Sequence, residues 1–189
     1  MKYITPYLET KRLILKSGNF FDYLSVYEYD FTKLRDINGE FKYVKLDKED
    51  ILGFDTYALE NDEVFDWIIY LKDELKPIGN ITADREIKKL KAIELAFNLH
   101  PSYWGNGYMK EAIISILDYL FNNGYHIVLC GYSEGNIKSK RLNDKLGFKL
   151  YKIEKDAWYK DGIAITEYKT IINKDDFYSL YKEYSKKCK

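Results

Sequence analysis

The sequence predicts an α+β fold: a mixed, mostly antiparallel sheet with a central parallel strand–helix–strand crossover. Three observations predict it. Ile93, Leu95, Phe97 and Leu99 alternate with Glu94, Ala96 and Asn98, which is the period of a half-buried strand. Met109, Ala112, Ile113, Ile116, Leu117, Leu120 and Phe121 then share one face at helical spacing. His126 to Tyr132 is nearly continuous apolar sequence, as expected of a strand covered on both faces. A strand–helix–strand unit joins parallel strands by a right-handed crossover. Strands cluster on either side of it, so the pattern is not doubly wound.

The remaining elements follow in order. Arg12 to Lys16 predicts a strand, and Asn19 caps a helix from about Phe20. Asp30 to Glu63 is polar and weakly periodic, and is read as helical. Val64 to Leu71 is an apolar, β-branched strand, and Lys72-Asp73-Glu74 turns the chain into another strand over Lys76 to Asp84. After the crossover, Asn136 opens a short helix that stacks Leu142 on Leu146 and stops at Gly147. Phe148 to Ala157 and Ile163 to Ile172 are two strands around the hairpin signal Asp161-Gly162. Asn173 caps a terminal helix running towards Lys187.

Composition narrows the function classes. The 189 residues suit a single domain over 1–189, and no linker, repeat or low-complexity stretch divides them. Thirty Lys and Arg balance thirty Asp and Glu, so no general attraction to nucleic acid or an anionic membrane is expected. Two cysteines, Cys130 and Cys188, are too few for a disulfide framework or a four-ligand zinc site. Neither His100 nor His126 sits in a metal-binding spacing, so no metal is expected. Met1 to Lys16 lacks a secretory leader's apolar core, and no apolar run approaches the length of a spanning helix. A cytoplasmic protein is expected.

The stretch Tyr103-Trp104-Gly105-Asn106-Gly107-Tyr108-Met109 lies between a strand and an amphipathic helix. Glycines let backbone N–H groups turn inward, and the helix start adds unpaired N–H groups and a positive dipole end. Together they suit a pyrophosphate. A tight structural loop is the alternative on spacing alone. A dinucleotide fingerprint fails because Lys110 stands where the third glycine belongs, and no Gly-Lys-Ser/Thr of a P-loop is present. Glu94 shares a strand face with Ala96 and Asn98, where it can take a proton from an incoming amine. Asp84 is the weaker candidate for that role.

Ile93 to Phe148 resembles the acyl-CoA-binding core of the GNAT superfamily of N-acyltransferases, in particular the branch of ribosomal-protein-alanine N-acetyltransferases. The likeness rests on Leu99-His100-Pro101, on Trp104-Gly105-Asn106-Gly107-Tyr108-Met109 with Glu111-Ala112, on Asn136-x-x-Ser139, and on Lys145-Leu146-Gly147-Phe148. Glu9 to Leu15 and Pro77-Ile78-Gly79 extend it to nearly the whole chain.

The resemblance implies the acyl-CoA N-acyltransferase fold, with two splayed central strands, acetyl-CoA as cosubstrate and an amine acceptor; a homodimer is compatible with it. Backbone at Phe97, Asn98 and Leu99 would hold the pantetheine arm, and Trp104 to Met109 the pyrophosphate. Asn136 and Ser139 would face the thioester end. Asn143 stands where many members place a Tyr that protonates the leaving thiolate, which passes that role to Ser139 or a water it holds. The reading is an N-acetyltransferase with Glu94 and Ser139 in catalysis. The alternative is a non-catalytic module that binds CoA and acts through a partner.

Overall fold

Leu13 and Leu15 alternate with Ile14 and Lys16, and the alternation becomes a strand whose leucines are fully buried. In the computed structural model this is β2 (Leu13–Lys16), preceded by β1 (Leu8–Glu9). The structure describes residues 3–26, 29–30, 44–45, 63–160 and 162–182. The chain divides into two compact units, Met1–Arg85 with Ala96–Ile116, and Glu86–Leu95 with Leu117–Lys189.

In the first unit β2 pairs antiparallel with β5 (Phe65–Leu71), and β5 with β6 (Lys76–Ile87). The distal half of β7 (Ala92–Leu99) follows β6 in the strand order. Trp67, Ile69 and Ile81 are buried on one face of these strands, together with Leu13 and Leu15. On the opposite face Ile68 and Tyr70 pack with Tyr23 and Val26 of α1 (Phe20–Val26). Asn19 caps α1, its Oδ1 accepting from the amide of Phe21 at 2.9 Å. Most of Asp30 to Glu63, read as helical, lies outside the described residues. Its described parts correct that reading: β3 (Tyr29–Asp30) pairs antiparallel with β4 (Val44–Lys45). Extended backbone suits the β-branched and aromatic residues around Val44.

In the second unit the proximal half of β7 runs parallel to β8 (Ile127–Ser133), from Ala92 opposite Ile127 to Leu95 opposite Cys130. β8 pairs antiparallel with β10 (Ile163–Asn173), and β10 with the edge strand β9 (Lys149–Lys160). The crossover helix α2 (Tyr108–Asn122) passes through both units, burying Ala112, Ile113, Ile116, Leu117, Leu120 and Phe121. β8 departs from the expectation of burial on both faces. Val128 and Cys130 are buried, while Leu129 and Gly131 are half-buried beside the charged side chain of Lys169.

Asn136 caps α3 (Ile137–Leu146), which ends at Gly147 with φ +89°. Asn173 caps α4 (Lys174–Leu180), and Phe177 packs at a tilt against Phe121 with ring centroids 5.3 Å apart. The helix breaks at Tyr181, where φ −116° and ψ 64° leave the helical region, and Lys182 is helical again; the rest of the expected run towards Lys187 is not among the described residues. Residues 183–189 lie outside the description.

Candidate active site

The loop before α2 is built from short-range bonds. The Trp104 indole donates to the Leu99 carbonyl at 2.7 Å, and the Trp104 amide to Pro101 at 3.1 Å. Asn106 donates its side-chain amide to the carbonyls of Tyr103 and Trp104, both at 3.3 Å. Gly105 and Gly107 have φ of +82° and +77°, where side chains are strained. The Gly107 carbonyl accepts the first helical bond, from the Glu111 amide at 3.1 Å, so Gly107 is the N-cap of α2. It has no side chain to cover the amides of Tyr108 and Met109, which have no carbonyl within the helix. A Cβ on Gly105 would meet nothing within 4 Å, and one on Gly107 only an Arg12 nitrogen at 3.7 Å. Open space, bare amides and a helix dipole fit a pyrophosphate.

Glu111 anchors this loop to the start of the chain. Its carboxylate accepts from the Thr10 hydroxyl at 2.7 Å, the Arg12 amide at 2.9 Å and the Arg12 Nε at 2.7 Å. Arg12 also donates to the Asn106 carbonyl at 3.0 Å, and its guanidinium lies 4.4 Å from the centre of the Tyr108 ring. Burial pushes the Glu111 carboxyl up, but the bonds from Thr10 and Arg12 outweigh it and leave the group below its usual value. Met109 turns into the core and is buried, so only its backbone is available to a ligand.

The end of β7 belongs to the same unit. The His100 amide donates to the Ile78 carbonyl at 2.8 Å. Gly79 is required here, because a Cβ would lie 2.5 Å from the Asn98 carbonyl oxygen and 3.1 Å from the Leu99 Cα. Phe97, Asn98 and Leu99 are all half-buried, so the apolar alternation of β7 fades over its last residues. The first unit thus holds Phe97, Asn98, Leu99 and Trp104 to Met109, joined by the Trp104–Leu99 bond.

Glu94, Asn136 and Ser139 lie in the second unit. Glu94 is paired with Lys169 at 3.3 Å, and Lys169 pairs with Glu167 at 3.1 Å. Gly131 leaves room for this triad, since a Cβ there would sit 2.7 Å from Glu167. The Asn136 side chain accepts from the Ser139 amide at 3.1 Å, closing the start of α3. Asn143 is fully buried and donates to Thr170 at 3.2 Å, away from solvent. Burial pushes the Cys130 thiol up to about 12, which makes it a poor nucleophile. Among the described residues, no group of three or more His, Cys, Asp or Glu could hold a metal ion. None of their helices is long and apolar enough to cross a membrane.

The sequence reading missed the roles of Thr10 and Arg12. Both lie in a motif it singled out, but nothing local couples them to Glu111.

The model of the GNAT acetyltransferase domain family matches residues 33–149, more than half of the chain. An uncharacterized N-acetyltransferase of Bacillus subtilis, YnaD, is 29% identical over 147 residues, covering 76% of this chain and 82% of that protein. A GNAT-family acetyltransferase structure from Bacillus anthracis aligns with a TM-score of 0.74 at 20% identity, over 90% of this chain and 99% of the other. The ribosomal-protein-S5-alanine acetyltransferase structure from Vibrio fischeri aligns with a TM-score of 0.67 at 20% identity, over 91% and 98%. The bare, positive-φ helix start found here is set in the fold these structures share. This chain belongs to the GNAT acetyltransferase family, whose members generally use acetyl-CoA. It is an N-acetyltransferase.

Proposed function

We propose that the chain transfers an acetyl group from acetyl-CoA directly to a primary amine, either a protein N-terminus or a small molecule. The observation that carries this reading is the N-terminus of α2, capped by a glycine and left bare of side chains. The amides of Gly105 to Met109 hold the pyrophosphate, and the backbone at Phe97 to Leu99 holds the pantetheine arm. Asn136 and Ser139 serve the thioester end. The cosubstrate supplies an activated acyl carbon when bound: a C–N bond forms there and the C–S bond breaks.

Two side chains are assigned to the proton steps. Glu94 takes the proton released by the amine, directly or through water, and Ser139 helps return one to the thiolate. Asn143 cannot do so from its buried bond to Thr170. Ser139 therefore stands in for the acid that position 143 does not supply.

Two measurements test the proposal. Acetyl-CoA at 100 times its Kd should stabilise the fold by about 2.7 kcal/mol. Thiol release with a panel of amines should then show turnover. Glu94→Gln should lower kcat by about 10²–10⁴-fold with acetyl-CoA affinity unchanged, and Ser139→Ala by less. Binding without turnover on any amine would contradict direct transfer to a primary amine; no binding would remove the proposal whole.

A further inference from the structure

In the first unit, one sheet face carries an unusual polar row. Asp66 of β5 is 9% exposed, inside an otherwise apolar strand. Its amide donates to the Thr5 hydroxyl at 2.9 Å, and its carboxylate accepts from Asn80 of β6, which is also buried. Its second oxygen, Oδ1, is buried without a hydrogen-bond partner among the described residues. The Nδ2 of Asn98 on β7 is likewise buried and unpartnered.

These atoms share a face. Asp66 stands opposite Thr82, and Ile68 opposite Asn80, which places Asp66 and Asn80 on the α1 side of the sheet. Leu99 meets the space over Gly79 on the other side, so Asn98 returns to the Asn80 side by strand alternation. An orphaned acceptor and an orphaned donor therefore stand on one face, two strands apart.

Leaving such groups bare costs stability. A buried polar atom without a partner forfeits its hydration, and a charged one forfeits more. Burial pushes the Asp66 carboxyl up to about 7, against the opposing bond from Asn80. Among the described residues, the ionisable groups on this face include Asp22 of α1, Lys16 of β2, Tyr70 of β5 and, by alternation from Asn80, Asp84 of β6. Asp22 is bonded to the Tyr70 hydroxyl, and the Lys16 ammonium lies 4.9 Å from the centre of that ring. None of them neutralises Oδ1.

We propose that Asp66 and Asn98 form the acceptor subsite, with Asp66 Oδ1 accepting an N–H of the amine and Asn98 Nδ2 donating to an oxygen close to that amine. The subsite rests on the acetyltransferase reading and names its substrate class. The preferred acceptor is a primary amine bearing a nearby carbonyl or hydroxyl oxygen. A plain alkylamine or a polyamine would satisfy Asp66 and leave Asn98 orphaned.

The test is thiol release from acetyl-CoA at pH 8, where the Asp66 carboxyl is ionised, with glycinamide, ethanolamine, propylamine and spermidine. Calorimetry of acetyl-CoA is run on each variant. The oxygen-bearing amines should exceed propylamine and spermidine in kcat/KM by about 10-fold, the loss expected when a site's polar group stays unpaired. Asp66→Asn should lower kcat/KM on all amines by about 10–100-fold, mainly through KM, with acetyl-CoA affinity unchanged. It should also melt at the same temperature as wild type or higher, because a buried charge is gone, so lost activity is not lost folding. Asn98→Ala should erase the preference for oxygen-bearing amines.

Three results would overturn the subsite while acetyl-CoA still binds. They are wild-type kcat/KM in Asp66→Asn, an unchanged preference in Asn98→Ala, and a wild-type preference for propylamine or spermidine. Failure of acetyl-CoA to bind the wild-type chain would instead remove the acetyltransferase reading, and the subsite with it.

Discussion

Two helices of this protein begin in opposite ways. α3 starts at Asn136, whose side chain turns back and accepts from the Ser139 amide at 3.1 Å. α2 starts at Gly107, which offers its carbonyl to Glu111 and no side chain to the amides of Tyr108 and Met109. One helix covers a donor of its first turn with its own cap; the other has no cap side chain over Tyr108 and Met109. The difference also shows in what surrounds each start. The α3 cap is made by a residue three positions from the amide it serves, whereas the α2 loop is held through Glu111 by the distant Thr10 and Arg12. A helix start kept bare yet held rigid is built to receive an anion.

The largest effect should come from giving α2 a side chain of its own at position 107. Gly107→Val places a β-branched residue at φ +77° and should weaken CoA binding at least about 100-fold, with some loss of stability from the strain. Gly107→Asn separates the two causes. Asn tolerates this backbone region, and its Cβ would make only an ordinary 3.7 Å contact with Arg12. It can cap the helix as Asn136 does, so calorimetry should show CoA affinity down about 10-fold with the melting temperature nearly unchanged. Unaltered affinity in Gly107→Asn would break the contrast between the helices.

Glu111→Gln comes next, since it removes the charge that Thr10 and Arg12 serve. It should cost about 1.5–3 kcal/mol in denaturant titrations at pH 7. The sign with pH follows from the lowered carboxyl. A carboxylate depressed in the folded state stabilises above its unfolded value, and that contribution is lost as pH falls through the folded one. Wild type and Glu111→Gln should therefore converge below about pH 4. A gap that stayed constant down to pH 2 would deny Glu111 this role.

The smallest effect belongs to the capped helix. Asn136→Ala should destabilise the fold by about 1 kcal/mol, as lost N-caps do, while Asn136→Asp keeps the cap and most of the stability. If Asn136→Ala cost nothing, the two helix starts would be more alike than their bonds indicate.

The sequence shows one side of this contrast more clearly than the other. Gly105, Gly107 and the stripe from Met109 to Phe121 are local patterns, so a bare helix start could be read from neighbours alone. Asn136 and Ser139 are three apart, and their bond is equally local. The anchor is not. Thr10 and Arg12 lie 101 and 99 positions from Glu111, and no periodicity in one chain pairs them.

Asp66 is hidden for a different reason. A lone acid within Val64 to Leu71 reads as the exposed face of a strand, yet it is buried. Tertiary packing decided that. The longer strands and the crossover followed from hydrophobic period, whereas the place of β10 between β8 and β9 did not. The region around Val44 did not, because its periodicity is weak and its strand is two residues long.

The most direct test of the central claim is a titration of labelled protein with acetyl-CoA, followed by amide chemical shifts. The account predicts the largest changes among the amides of Gly105 to Met109, saturating together with the heat of binding. If acetyl-CoA binds and those five amides stay where they are, the bare start of α2 is not the pyrophosphate site.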